Sequence, residues 1–157
     1  MPIQKITPFF WYSTQAEEAA AFYAGIFPDS RVVRVTPVPG TDTTKIVEFV
    51  LCGQSFIALS HERTESFNRA ISLMVRCADQ VELDRYWNGL LDGGGMPDAC
   101  GWLTDRFGVS WQIVPDALFT MMADPDPAKA ARVTTAMMQM TKLEIAPLKA
   151  VYAGTPD

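Results

Sequence analysis

Apolar residues recur at every second position in several short runs of the chain, and glycine, proline or polar clusters close each run. The clearest is Val109–Val114, with Val109, Trp111 and Ile113 on one side and Ser110, Gln112 and Val114 on the other. Such alternation predicts a strand whose successive side chains face opposite ways. An Asp105-Arg106-Phe107-Gly108 turn joins it to a short strand just before, so Cys100–Pro115 reads as a hairpin. The same period predicts strands at Lys5–Tyr12, Ser30–Pro37, Lys45–Cys52, Ser55–His61 and Arg69–Cys77, with a short one around Met96–Ala99. Cys52-Gly53-Gln54 is the turn of a second hairpin.

Between these strands the apolar spacing lengthens to that of a helix. Thr14–Phe27 carries Ala19, Phe22, Tyr23 and Ile26, and Asp79–Leu91 carries Val81, Leu83, Tyr86, Trp87, Leu90 and Leu91. Thr14 with Glu17, and Asp79 with Glu82, have the spacing of capping boxes. Gly93-Gly94-Gly95 ends the second helix. The plan is βαβββ, stated at about 5–61 and again, abbreviated, at about 69–115. This predicts an α+β fold: paired βαβββ modules over residues 1–115, forming a curved mixed sheet around a cleft.

Residues 116–157 change character. Helices are expected at Asp116–Ala123, Pro127–Met140 (Asp126 as cap, Pro127 in the first turn) and Leu143–Tyr152. Val133, Met137, Met138 and Met140 give this extension an adaptable apolar surface. It can cover the chain's own sheet or cross to a partner subunit.

Composition narrows the function classes. Of 157 residues, 48% are apolar and 20% charged, which is ordinary for a folded domain. A net charge of −5 argues against nucleic acid as a partner, since phosphate binding wants a basic surface. No apolar run approaches the roughly 20 residues of a membrane span. Met1-Pro2-Ile3-Gln4-Lys5 lacks the apolar core of a signal peptide. Cys52, Cys77 and Cys100 form no CxxC pair, so reduced thiols in a cytoplasmic protein are expected.

Strand alternation also nominates a ligand site. Phe9, Trp11, Ile57, Leu59, Ile71, Leu73, Val75, Trp111 and Ile113 are uniformly apolar and are expected beneath the helices. The opposite faces hold Pro8, Phe10, Phe56, Ala58, Ser60, Ala70, Ser72, Met74, Ser110 and Gln112, a mixture suited to a small-molecule cleft. Glu48, opposite Val47 and Phe49, is the candidate catalytic base. His61, the single histidine, falls on the other side of its strand from Ala58 and Ser60, and with Glu62, Arg63 and Glu65 it reads as loop. Cys100 reads as a small buried hydrophobe.

Several of these motifs in combination are similar to one family. Ile6-Thr7-Pro8-Phe9, Gln15-Ala16-Glu17-Glu18-Ala19, Phe22-Tyr23, Ile26-Phe27-Pro28, Asp105–Pro115 and Asp124-Pro125-Asp126-Pro127 resemble the PhnB-like branch of the vicinal oxygen chelate superfamily. That superfamily includes glyoxalase I, extradiol dioxygenases and antibiotic-resistance proteins, and the branch often carries the label 3-demethylubiquinone-9 3-methyltransferase. The resemblance implies common homodimers and a divalent metal held by His, Glu or Gln from four strands. Laid on this chain, those positions fall near Pro8, Ala58, Ala70 and Gln112, of which Gln112 alone offers a donor side chain. No metal and no cofactor are therefore expected. The label implies methyl transfer, yet the glycine run follows a helix and not the strand that a nucleotide-type cofactor site uses. The expected function is metal-independent binding of a small, partly aromatic molecule by a homodimer. The alternative is a glyoxalase- or dioxygenase-type enzyme using Glu48, or a departed metal geometry around Gln112 and His61.

Overall fold

In the computed structural model, which describes residues 4–62 and 65–154, the chain forms two compact units, Met1–Ser66 and Phe67–Asp157. The loop reading at Arg63 lies outside the described residues. Both units begin with βαβββ.

The first runs β1 (Phe9–Tyr12), α1 (Ala16–Ile26), β2 (Arg31–Pro37), β3 (Lys45–Leu51) and β4 (Gln54–Ser60). Its sheet order is β1-β4-β3-β2, with β1 parallel to β4 and the other pairs antiparallel. Gly53 (φ +79°) lets the β3–β4 turn close tightly. In α1 the buried positions are Ala16, Ala19, Ala20 and Tyr23, a stripe at i, i+3, i+4 and i+7. Three of the four are alanines, so the sheet fills the space with large rings. Tyr23 stacks on Phe49 with centroids 6.5 Å apart, Phe49 on Phe56 at 5.4 Å, and the Tyr12 and Tyr23 hydroxyls meet at 3.2 Å. The Thr14–Glu17 box does not form. Instead the first helical N–H, from Ala16, donates to Ser60 Oγ at 3.0 Å.

The second copy runs β5 (Leu73–Cys77), α2 (Gln80–Leu91), β6 (Met96–Pro97), a 3-10 turn at Ala99–Gly101, β7 (Trp102–Thr104) and β8 (Ser110–Pro115). Its sheet order, β5-β8-β7-β6 with β5 parallel to β8, repeats that of the first copy strand for strand. Here the capping box is present. Asp79 Oδ1 accepts from the Glu82 N–H at 2.9 Å, and Glu82 reaches back to the Ala78 N–H at 2.7 Å. Strand β5 starts four residues later than predicted, because Arg69 and Ala70 form a turn.

Three helices complete the second unit: α3 (Asp116–Met122), α4 (Pro127–Met138) and α5 (Ile145–Ala153). They dock in cis. The Cys100 and Gly101 N–H groups donate to Met140 O and Thr141 O, both at 2.8 Å. Gln80 donates to Leu143 O and accepts from the Ile145 N–H, and Leu143 and Leu148 are fully buried. Within the described residues no helix is long and apolar enough to cross a membrane.

Candidate functional site

Which face of each sheet the helix leaves open decides what can meet a ligand. In the second unit, Trp111, Ile113 and Leu103 are buried on the side of α2, as alternation predicts. The opposite face carries Met74, Gln112 and Trp102 side by side across β5, β8 and β7. Met74 is exposed, whereas Gln112 and Trp102 are half-buried. The Gln112 amide nitrogen donates to Ser72 Oγ at 2.8 Å, and its carbonyl oxygen has no partner among the described residues. The Arg69 guanidinium lies 5.2 Å from the Trp102 ring centroid and pairs with Asp98. Ala70 sits in the turn before β5, its N–H held by Asn68 Oδ1, and Ser110 is buried on the same side as Gln112.

The first unit requires a correction. The rings of Phe10 and Phe56, and Ala58 and Ser60, lie on the face beneath α1, where Phe56, Ala58 and Ser60 are buried. The helix-free face is the one expected to be covered: Phe9, Trp11, Ile57 and Leu59, joined by Ile46 and Glu48 through the strand register. Phe9 and Trp11 are accordingly exposed. Pro8, half-buried ahead of β1, gives its carbonyl to the Ile57 N–H. Both faces of these strands are apolar, and the choice between them is made by the alanines of α1, which accept large aromatic neighbours.

The inversion brings in residues that alternation set aside. His61 shares the side of Ile57 and Leu59. Its Nδ1 lies 2.9 Å from the hydroxyl of Thr44, and its ring stacks on Trp11 at 6.2 Å, while Trp11 Nε1 donates to the His61 carbonyl at 2.7 Å. The parity of His61 with Leu59 was a usable signal once the buried face was known. Glu48 is on the helix-free face but pairs with Arg34, an ion pair that raises the guanidinium's pKa through their hydrogen bond. Arg34 thus occupies a carboxylate oxygen that a general base would use.

The fit of a divalent metal can be judged from the donors alone. On β1 and β4 the helix-free positions are Phe9, Trp11, Ser55, Ile57 and Leu59, which offer no carboxylate, thiol or imidazole, and His61 directly after β4 has its Nδ1 against the Thr44 hydroxyl. Among the described residues no three His, Cys, Asp or Glu side chains gather as ligands. One amide oxygen on Gln112 does not make a transition-metal site.

The conspicuous Asp105–Pro115 motif is a structural latch. Asp105 is only 3% exposed, yet its carboxylate accepts from the Phe107 and Val109 N–H groups at 2.9 and 3.0 Å and from Trp111 Nε1 at 2.8 Å. Gly108 (φ +91°) supplies the turn that lets the backbone curl around that carboxylate. The glycine run is structural as well. A Cβ on Gly95 would lie 2.7 Å from Leu91 Cα, so its role is close approach to the end of α2.

The family model described as 3-demethylubiquinone-9 3-methyltransferase matches residues 4–114. A solved structure of a putative 3-demethylubiquinone-9 3-methyltransferase, a PhnB protein from Bacillus cereus, is 32% identical with a TM-score of 0.65, over 71% of this chain and 99% of that one. A Pseudomonas aeruginosa protein is 20% identical with a TM-score of 0.61, over 73% of this chain and 100% of that one. The fosfomycin resistance protein FosX from Listeria monocytogenes, solved with Mn(II) and sulfate, shares the fold at 13% identity and a TM-score of 0.53, over 71% of this chain and 90% of that one. No curated protein matches the chain. With its duplicated βαβββ plan and these matches, the chain belongs to the 3-demethylubiquinone-9 3-methyltransferase family, a PhnB-like branch of the vicinal oxygen chelate superfamily.

Proposed function

We propose that this chain is a metal-independent small-molecule-binding protein. The observation that carries the reading is Gln112: an amide fixed by Ser72, with an acceptor oxygen left over, on a helix-free face between the indole of Trp102 and the thioether of Met74. A half-buried polar group with unused capacity is costly unless something hydrogen-bonds it. Here the flanking side chains are those that grip flat apolar ligands. A thermal-shift screen of small aromatic and oxidised metabolites tests this. A hit whose stabilisation vanishes in Gln112→Leu supports it, and a hit indifferent to that change removes Gln112 from the site. Titration with Zn²⁺, Ni²⁺, Mn²⁺ and Fe²⁺ is expected to give no stoichiometric uptake; one tight equivalent lost in Gln112→Ala would overturn metal independence.

A second reading, an enzyme of the glyoxalase type, draws support from Glu48, which is on the helix-free face of its sheet. Arg34 works against it by holding the carboxylate. Methyl transfer, the family's label, has no cofactor cradle in Gly93–Gly95, whose glycines serve the end of α2. We also propose a homodimer. The C-terminal helices dock in cis yet leave Met138 62% exposed at the end of α4 and Phe119 and Met122 exposed on α3. Sedimentation giving a monomer at micromolar concentration would remove the dimer from this reading.

A further inference from the structure

Beside the Met74–Gln112–Trp102 row, the same face of the second sheet carries hydroxyls. Thr104 pairs with Ser110 across β7 and β8, and Ser72 immediately precedes the Leu73–Trp111 pair. Ser110 is 3% exposed, and its hydroxyl has no hydrogen-bond partner among the described residues. Buried hydroxyls are ordinarily bonded, and one left alone asks for a partner from outside the protein. Thr104 Oγ1 is likewise unpartnered among the described residues, and Ser72, which accepts from Gln112, has its own proton to give. The face therefore offers one strong acceptor, Gln112 Oε1, with hydroxyl donors beside it and an indole at its flank.

The two rows contain no charge. The nearest cations along the strands are already engaged: Arg69 with Asp98, and Arg76 with Asp116 at 2.7 Å. Arg69, over the Trp102 ring, is already neutralised by Asp98, so an anion would have to compete with that carboxylate and any ion would lose its hydration. We infer that this face recognises an uncharged planar molecule through a lactam edge, an N–H donating to Gln112 Oε1 with the adjacent C=O accepting from the Ser110 hydroxyl, the ring lying against Trp102. This deepens the small-molecule reading above and rests on it, by naming the class of ligand.

Uracil, neutral and carrying such an edge, is the probe, and 1,3-dimethyluracil, the same ring without an N–H, is the control. In ¹⁵N-labelled full-length protein, millimolar uracil should shift the Gln112 side-chain amide and the Trp102 indole N–H saturably. The dimethyl compound should bind more weakly, and Gln112→Ala and Ser110→Ala should each weaken uracil by roughly three- to tenfold, as loss of one neutral hydrogen bond does. Ser110→Ala creates no cavity of consequence and keeps the test sound if Gln112→Ala misfolds. Equal binding of the two compounds overturns lactam recognition while leaving small-molecule binding intact. Absence of any shift at Gln112 and Trp102 with uracil overturns it too, and the metabolite screen then judges the broader reading separately.

Discussion

Asp105 and Ser110 are five residues apart and opposite in energetic character. Asp105 satisfies three buried donors at once, so Asp105→Ala strands all three. Its expected cost is about 3 kcal/mol, read from urea denaturation, since each buried donor left unpaired is worth on the order of 1 kcal/mol or more. Ser110 is the reverse. Replacing its partnerless hydroxyl by Ser110→Ala should leave stability unchanged or raise it by up to about 1 kcal/mol in the same assay. The thiols differ just as sharply. Burial, with Glu82, Asp116 and Asp79 adding to it, pushes the Cys77 thiol up to about 12. Cys52 is exposed in its turn. An aromatic disulfide reagent at pH 8 is expected to modify Cys52 quickly and Cys77 only on unfolding, because the thiolate is the reactive form.

At the level of elements, α1 shows how a helix of small residues dictates which face of a sheet is buried. Ala58 lies beneath it, fully buried, between Phe10 and Val47 in the strand register. Ala58→Phe should therefore lower stability by about 3 kcal/mol or prevent folding through overpacking, measurable as a fall in Tm, and should not act as a selective block of a ligand site. The second sheet was legible from the sequence because its two faces differ: Trp111 and Ile113 against Ser110 and Gln112. The first was not, because Phe9 and Trp11 are as apolar as Phe10 and Tyr12, and period-2 alternation has nothing to distinguish. The caps divide in the same way. The Asp79–Glu82 box is local and was readable, whereas Ala16 finds its acceptor on Ser60, 44 residues away in sequence.

For the molecule as a whole, two polar contacts fasten the C-terminal helices to one another and to α2. Tyr152 donates to Asp124 at 2.5 Å, and Lys142 pairs with Asp84 at 2.8 Å. The hydrogen bond from Tyr152 lowers the Asp124 pKa, and that from Lys142 lowers the Asp84 pKa. A carboxylate with a depressed folded-state pKa stabilises the fold above its unfolded value, near 4, and loses that contribution as pH falls through the folded one. Lys142 is raised, first by Asp84, so its share is complete below about pH 10 and lost as pH rises through the higher folded value. A Tm-against-pH curve should thus be flat through neutrality and fall on the acid side, and Asp84→Asn with Asp124→Asn should shallow that acid fall. The duplicated βαβββ plan, the helical extension and the superfamily were all readable from periodicity and motif. The extension's choice between its own chain and a partner was not, since Met-rich surface fits either.

The docking of that extension has a consequence for how far its sequence can drift. Cys100 and Gly101 hold Met140 and Thr141 through main-chain groups alone, and such a seam is blind to the letters on either side of it. Gly101 is the exception: at φ +81°, any Cβ would lie 2.8 Å from Ile113 O and 3.0 Å from Leu143. The family model ends at residue 114, just short of these helices. A tail fastened in this way can be rewritten over much of its exposed surface and still come to rest in the same place, provided Gly101 stays bare, Gln80 keeps its hold on Leu143 and Ile145, and Leu143 and Leu148 keep their buried places.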